Sequence, residues 1–303
     1  MVAFGLPSKH DHRKITGGLG NQLFQYATAR AVAHHHETSV AFDLHSFQNH
    51  TIDPDTTPRA YELAALGISA VQPSLFDGLA LGIRAVPYQS RLQKLVRRWR
   101  RITEYREIHM GYDPAILKKT TANTYLIGYF QSELYFENIQ SILRKELKFI
   151  SNPDSDLTGF PNSSNPVSLH IRRGDYVTNA RARQLHGLCS LDYYQKAATY
   201  LANRLGEIHL FVFSDDQAWA RKNLSLPYPI TFVEKHEGRN SFYDMYLMSQ
   251  CKHHIIANSS FSWWGAWLNP SHNKIVVAPS RWLAHEVQAN ESADRIPLGW
   301  VRI

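Results

Sequence analysis

The chain has 303 residues, 44% of them hydrophobic and 19% charged, and a formal net charge of +7. That length and apolar content exclude wholesale disorder and leave room for two ordinary domains or one large one. Two cysteines, Cys189 and Cys251, exclude a disulfide framework, fit a reducing compartment and read as core thiols, while the basic balance suits an anionic ligand or surface without choosing between them.

The first fourteen residues hold no apolar stretch long enough for a signal peptide or anchor. No run of about 18 apolar residues occurs anywhere, so a cytoplasmic, soluble protein is expected. The run Thr16-Gly17-Gly18-Leu19-Gly20-Asn21-Gln22 leads into an amphipathic helix over Asn21–Ala33, with Leu23, Tyr26, Ala27 and Ala31 on its stripe. Its glycines would let a ligand approach the backbone, although the spacing fits neither a dinucleotide fingerprint nor a P-loop. His34-His35-His36 has no partner ligands in view and reads as a solvated helix end. A short strand over Ser39–Phe42 ends at Asp43.

Between Gln48 and Gly111 no periodicity holds, and irregular or helical insertions are expected. Asp53-Pro54-Asp55 has the DxD spacing of some metal-dependent transferases but sits in a polar, proline-containing stretch that reads as a solvated turn. A further strand is predicted over Tyr125–Phe130. Ser151–Pro166, rich in proline, serine and asparagine, has the composition of a linker, dividing residues 1–150 from 167–303.

The second half alternates strand and helix. Strands are predicted at Val167–Ile171, Ile208–Phe213, Ile230–Val233, His254–Ala257 and Lys274–Ala278. Helices are predicted at Leu191–Leu205, after Asp216, at Ser241–Cys251 and at Phe261–Leu268. Such alternation implies a parallel sheet covered on both faces, a doubly wound α/β domain.

Ligands of such sheets bind beyond the carboxyl ends of the strands, and three polar segments fall there. The first is His170-Ile171-Arg172-Arg173-Gly174-Asp175-Tyr176, the second Ser214-Asp215-Asp216, the third Asn258-Ser259-Ser260-Phe261-Ser262. Singly, each reads as turn or N-cap chemistry. Together they point to a phosphorylated ligand. Two arginines at a strand end need an anion, which their fixed fork of donors matches bidentately. Ser259 and Ser260 open a helix whose free N–H groups favour phosphate. Trp263, Trp264 and Trp267 read as packing residues.

GGLGNQLFQYA, GYFQSE, HIRRGDY, FSDD and NSSFSWWGAWLN occur in the order and rough spacing of the α-1,2-fucosyltransferases, glycosyltransferase family 11, which the chain resembles from Gly17 to about Asn269. The resemblance implies a GT-B architecture, two Rossmann-like domains facing a cleft. It implies transfer of fucose from GDP-β-L-fucose to the 2-hydroxyl of a terminal galactose, with inversion and with neither metal nor cofactor. Donor contacts are then expected from Gly18, Asn21, Gln22, His170, Arg172, Arg173, Ser214, Asp215, Asn258, Ser259, Ser260, Phe261 and Ser262. Arg172 would stabilise the leaving diphosphate, and Glu62, Gln131 and Ser132 would meet the acceptor. The general base stays open among Asp43, Asp175 and the diphosphate itself, and both aspartates also read as N-cap or salt-bridge residues. The family's apolar strand before the glycine loop is replaced here by His10-Asp11-His12-Arg13-Lys14-Ile15, so a short or irregular strand is expected.

Competing readings are another GDP-fucose-dependent transferase, of the α-1,6 or O-fucosyl type, and a non-catalytic nucleotide-sugar-binding protein. Nucleic-acid binding rests on charge alone, and no nucleic-acid module surrounds the basic segment Arg91–Arg101. That segment can place Leu92, Leu95, Val96 and Trp99 on one helix face flanked by arginines. It reads as a solvated face or as a peripheral contact with the inner face of a membrane, which would suit a lipid-linked glycan acceptor.

Overall fold

The computed structural model describes residues 10–48, 59–81, 91–150, 165–234, 236, 240–284 and 293–303. Asp53-Pro54-Asp55 and all but the last two residues of the Ser151–Pro166 segment lie outside that set.

The first half builds a four-stranded parallel sheet from β1 (His10–Lys14), β2 (Ser39–Asp43), β3 (Thr103–Arg106) and β4 (Thr124–Ile127), in the order β2-β1-β4-β3. The polar His10–Lys14 segment is thus a regular strand. It pairs along five residues with β2 and also with β4, so the backbone ladder on both sides fixes it despite its composition. β3 has no counterpart among the expected strands. Thr-Glu-Tyr-Arg buries only Tyr105, which leaves an edge strand almost no hydrophobic signature. The rest of the unassigned segment, where described, mixes irregular stretches with a 3-10 turn at Leu63–Leu66 and helices at Leu75–Leu81 and Arg91–Arg100.

The second half builds a six-stranded parallel sheet from β5 (Pro166–Ile171), β6 (His209–Ser214), β7 (Ile230–Phe232), β8 (His253–Ile255), β9 (Val276–Ala278) and β10 (Val301–Arg302). The spatial order is β10-β9-β8-β5-β6-β7. This is an open parallel sheet of the doubly wound kind, whose ligand crevice opens where the chain's direction of winding reverses. The reversal falls at β5, between β6 on one side and β8 on the other. The crevice therefore lies beyond the carboxyl ends of β5 and β8, where the arginine pair and the Asn258–Ser262 segment sit. Two Rossmann-like parallel sheets give the expected GT-B arrangement.

One apolar core joins the halves. The Leu19–His35 helix and the Ser260–Leu268 helix pack together, with Phe24 against Trp263 and Trp264 at ring distances of 4.5 and 5.1 Å. Phe136 stacks on Trp264 at 5.6 Å. Arg144 lies 4.1 Å over the Trp267 ring and donates to that residue's carbonyl at 2.8 Å. The three tryptophans are buried packing residues, and aromatic groups of this size dominate core energetics.

Candidate active site

The Arg172 guanidinium lies at the end of β5, where it is held from two sides. One Nη is 2.7 Å from Asp175 Oδ1 and the other 3.1 Å from Asp215 Oδ2. Burial works against its charge, but Asp215 and Asp175 more than offset that and raise its pKa. Asp215 also accepts from the Arg173 amide at 2.8 Å. A Cβ on Gly174 would lie 2.5 Å from Asp215 Oδ2, so glycine there lets the carboxylate reach the arginine loop. Arg173 points elsewhere: it pairs with Asp216 at 3.1 Å and stacks 3.9 Å over Trp219, which anchors the loop from outside.

From the first half, Arg59 reaches Asp175 Oδ2 at 3.5 Å. It also lies near Gly18, where an added Cβ would be 3.8 Å from the guanidinium carbon. Two guanidinium groups thus share one carboxylate across the cleft. Sequence reading misses Arg59 because an isolated arginine in an aperiodic segment carries no local signal.

Two helix N-termini meet at the same place. A Cβ on Gly20 would lie 2.5 Å from the Ser260 carbonyl carbon and 2.6 Å from the Phe261 nitrogen, so the first turns of the Leu19–His35 and Ser260–Leu268 helices touch backbone to backbone. Each N-terminus carries free N–H groups and a partial positive charge. Ser259 caps the second helix, its hydroxyl accepting from Phe261 N at 3.3 Å. Gly17, at φ +78°, takes the left-handed turn into the first helix.

Glu62 lies at this junction. Its carboxylate accepts from the Ser241 hydroxyl at 2.8 Å, bridging the halves. Burial raises its pKa, against the Ser241 hydroxyl, Arg59 and the Leu19 amide, which lower it. Asn21 and Gln131 meet nearby, Gln131 Nε2 donating to Asn21 Oδ1 at 2.6 Å. His170 is buried, and the Arg172 charge adds to that burial in depressing its pKa to about 3, so the ring is neutral. Its Nδ1 has no hydrogen-bond partner among the described residues.

Other expected contact residues make hydrogen bonds within the protein. Gln22 is fully buried, donating to the Gly17 and Ala60 carbonyls and accepting from Glu62 N. Ser132 is buried and donates to the Asp294 carbonyl at 2.9 Å. Asn258 donates to the His186 and Trp282 carbonyls, Ser262 to the Ser259 carbonyl, and Ser214 accepts from Asp216 N. Asp43 is buried, one oxygen accepting from His45 N at 2.9 Å and the other from the Tyr125 hydroxyl at 2.6 Å. Ser260 and Phe261 remain partly open at the helix N-terminus. Both cysteines are free thiols, and burial pushes the Cys189 thiol up to about 11. Among the described residues no group of His, Cys, Asp or Glu is arranged to hold a metal ion.

The profile of glycosyl transferase family 11 matches residues 81–303. The chain belongs to glycosyltransferase family 11. An α-1,2-colitosyltransferase of Escherichia coli is 35% identical over 302 residues, 96% of this chain and 97% of the relative. The O-antigen biosynthesis glycosyltransferase WbnK of the same species is 31% identical, over 95% of this chain and 99% of its own length. The bovine galactoside 2-α-L-fucosyltransferase SEC1 is 25% identical, over 83% of this chain and 62% of its own length. Among solved structures, the fucosyltransferase NodZ from Bradyrhizobium aligns over 88% of this chain and 95% of its own, at 16% identity and a TM-score of 0.48. The protein is therefore a glycosyltransferase with α-1,2-fucosyl- and colitosyl-transferring relatives.

Proposed function

We propose that this chain transfers L-fucose from GDP-β-L-fucose to the 2-hydroxyl of a terminal galactose, with inversion and without a metal ion. The observation that carries the reading is the convergence of Arg172, Arg59 and two helix N-termini on the crevice beyond β5 and β8. As the bond from the anomeric carbon to the β-phosphate oxygen breaks, charge grows on the diphosphate. A fixed guanidinium fork and free amide N–H groups answer that charge without reorganising. His170, neutral and with Nδ1 unpartnered among the described residues, is a further donor contact in this reading, aimed at the nucleotide.

Inversion requires the acceptor oxygen to attack from the face opposite the departing diphosphate while its proton passes to a base. Asp43 is engaged inside the first half, and Asp175 is braced between two guanidinium groups. The reading therefore gives the acceptor hydroxyl to Glu62, on the opposite wall from Arg172. Its deprotonated form is the active one, so kcat/KM falls as pH drops through its raised pKa, above the ordinary glutamate range. Ser241→Ala removes a hydrogen bond that lowers this pKa and should move the acid limb of the profile to higher pH. Glu62→Gln should abolish the limb and lower kcat by about 10² to 10⁴. An unchanged limb in Glu62→Gln, with turnover within a few-fold of wild type, leaves the proton to the diphosphate.

The colitosyltransferase relative supports a second reading for the donor. Colitose is fucose without its 3-hydroxyl. A site that hydrogen-bonds a substrate hydroxyl rejects the analogue lacking it by up to about 10⁴ to 10⁵, whereas a site that ignores it accepts both. Side-by-side kcat/KM values for GDP-fucose and GDP-colitose decide the matter. We expect fucose to be favoured at least tenfold, and equal or reversed preference assigns the colitosyl reading.

A further inference from the structure

The Leu75–Leu81 and Arg91–Arg100 helices pack side by side on the first half and carry a surface that the transfer reaction does not use. Asp77 and Arg100 form a bidentate pair at 2.6 and 2.8 Å, with the Arg100 side chain 5% exposed and that of Asp77 0%. Ser74 also donates to Asp77. Arg100 is thereby withdrawn from the surface and used to hold the helices together.

The outward face of the pair is apolar. Leu92, Leu95 and Trp99, at helical spacing i, i+3 and i+7, form one stripe, with relative exposures of 53, 67 and 62%. Phe76 of the neighbouring helix extends the stripe, with its ring edge-on to Trp99 at 5.8 Å. Beside it stand the exposed cations Arg91, Lys94, Arg98 and Arg101. None of these four pairs with a carboxylate among the described residues. The acid nearby, Glu104, is held by Arg97 and Arg106.

We infer that this face docks on an anionic lipid bilayer, with Phe76, Leu92, Leu95 and Trp99 entering the acyl boundary and the four cations meeting headgroup phosphates. The charge decides the occupant. Amphipathic helices with bulky apolar residues on one face and lysine or arginine beside them bind in the interfacial plane. Tryptophan and arginine can each bury an apolar body while keeping a polar end wet. Two helices clamped by a buried ion pair present the stripe already formed, so little ordering accompanies binding. The proposal stands independently of which sugar the enzyme transfers.

The test uses the full chain with phosphatidylcholine vesicles, with and without phosphatidylglycerol. Co-sedimentation is expected with the anionic vesicles and much less with the neutral ones. Arg91→Glu together with Arg98→Glu should weaken binding at least tenfold, from roughly a kcal/mol per surface cation. Both residues are exposed and outside the active site, so turnover on a soluble acceptor should be unchanged, which shows that the variant is folded. Brominated lipid should quench tryptophan fluorescence in the wild type and lose most of that effect in Trp99→Phe. Equal binding to neutral and anionic vesicles, or undiminished binding by the charge-reversed pair, overturns the proposal. Self-association abolished by Leu95→Glu would overturn it too, assigning the face to a second copy of the chain.

Discussion

Replacing Arg172 by alanine should lower kcat by about 10² to 10³, the usual effect of removing one preorganised donor from a developing oxyanion, with a much smaller change in acceptor KM. Arg172 sits at the switch point of the second sheet with its charge held by Asp175 and Asp215, so its geometry is set before the donor arrives. Two of its donor groups position it, which leaves the remaining N–H groups of the fork for the diphosphate in the proposed reading. Lysine can offer a charge but cannot bridge Asp175, Asp215 and a phosphate at once, so Arg172→Lys should recover only part of the loss. Arg173→Ala is the matching control. Arg173 is spent on Asp216 and Trp219, so its loss should lower stability more than turnover. Near-normal kcat in Arg172→Ala, measured on protein with an unchanged melting temperature, would remove the residue from the mechanism.

Gly20→Ala should damage the enzyme out of proportion to one methyl group. The added Cβ meets the Ser260 carbonyl carbon, the Phe261 nitrogen and the Ser260 oxygen at 2.5, 2.6 and 2.7 Å. All three are backbone, so no rotamer change relieves the clash and the two helices must separate. Because those helices carry both N-termini of the proposed anion site, a shift of about 1 Å should cost about 10² in kcat/KM. Alanine in a helix ordinarily gains up to about 1 kcal/mol over glycine. A fall in melting temperature, from about 1–3 kcal/mol of overpacking, would therefore mark the clash rather than the helix. Gly265→Ala gives the contrast, since its Cβ would crowd Met248 Cβ and Sδ at 2.9 and 3.1 Å, against the Phe242–Gln250 helix and away from the two N-termini. That variant should lose little turnover. Activity of Gly20→Ala equal to that of Gly265→Ala would refute the close-contact account.

The second half is legible because its elements carry their own signals. β5 and β6 are almost wholly buried; β6 reads as the apolar run Leu210–Phe213, and β5 as an apolar run interrupted only by Ser168 and His170. The Leu191–Leu205 helix has a regular stripe, a Ser190 cap and Gly206 beyond its end. Edge elements are not legible. β3 and β10 bury too little to imprint a pattern, and β1 is a strand because of its neighbours on both sides. In the site, strand ends alone suffice to place the arginine loop and the serine-capped helix. Gln22, Ser132, Asn258 and Asp43 look alike in sequence whether they face a ligand or a buried carbonyl or amide, and here each is tied to the scaffold.

By itself, the sequence determined the alternation that makes a doubly wound sheet, the anion-matching chemistry at the end of β5, and the motifs of glycosyltransferase family 11, because these depend on residues close together in the chain. Only the tertiary structure decided which charges share the cleft. Arg59 and Asp175 are remote in the chain and meet at 3.5 Å, and Glu62 reaches Ser241 across the two halves. Phe76 and Trp99 likewise become one surface only when Asp77 closes on Arg100. Each of these pairings is set by the packing of elements remote in sequence, and no local pattern encodes it.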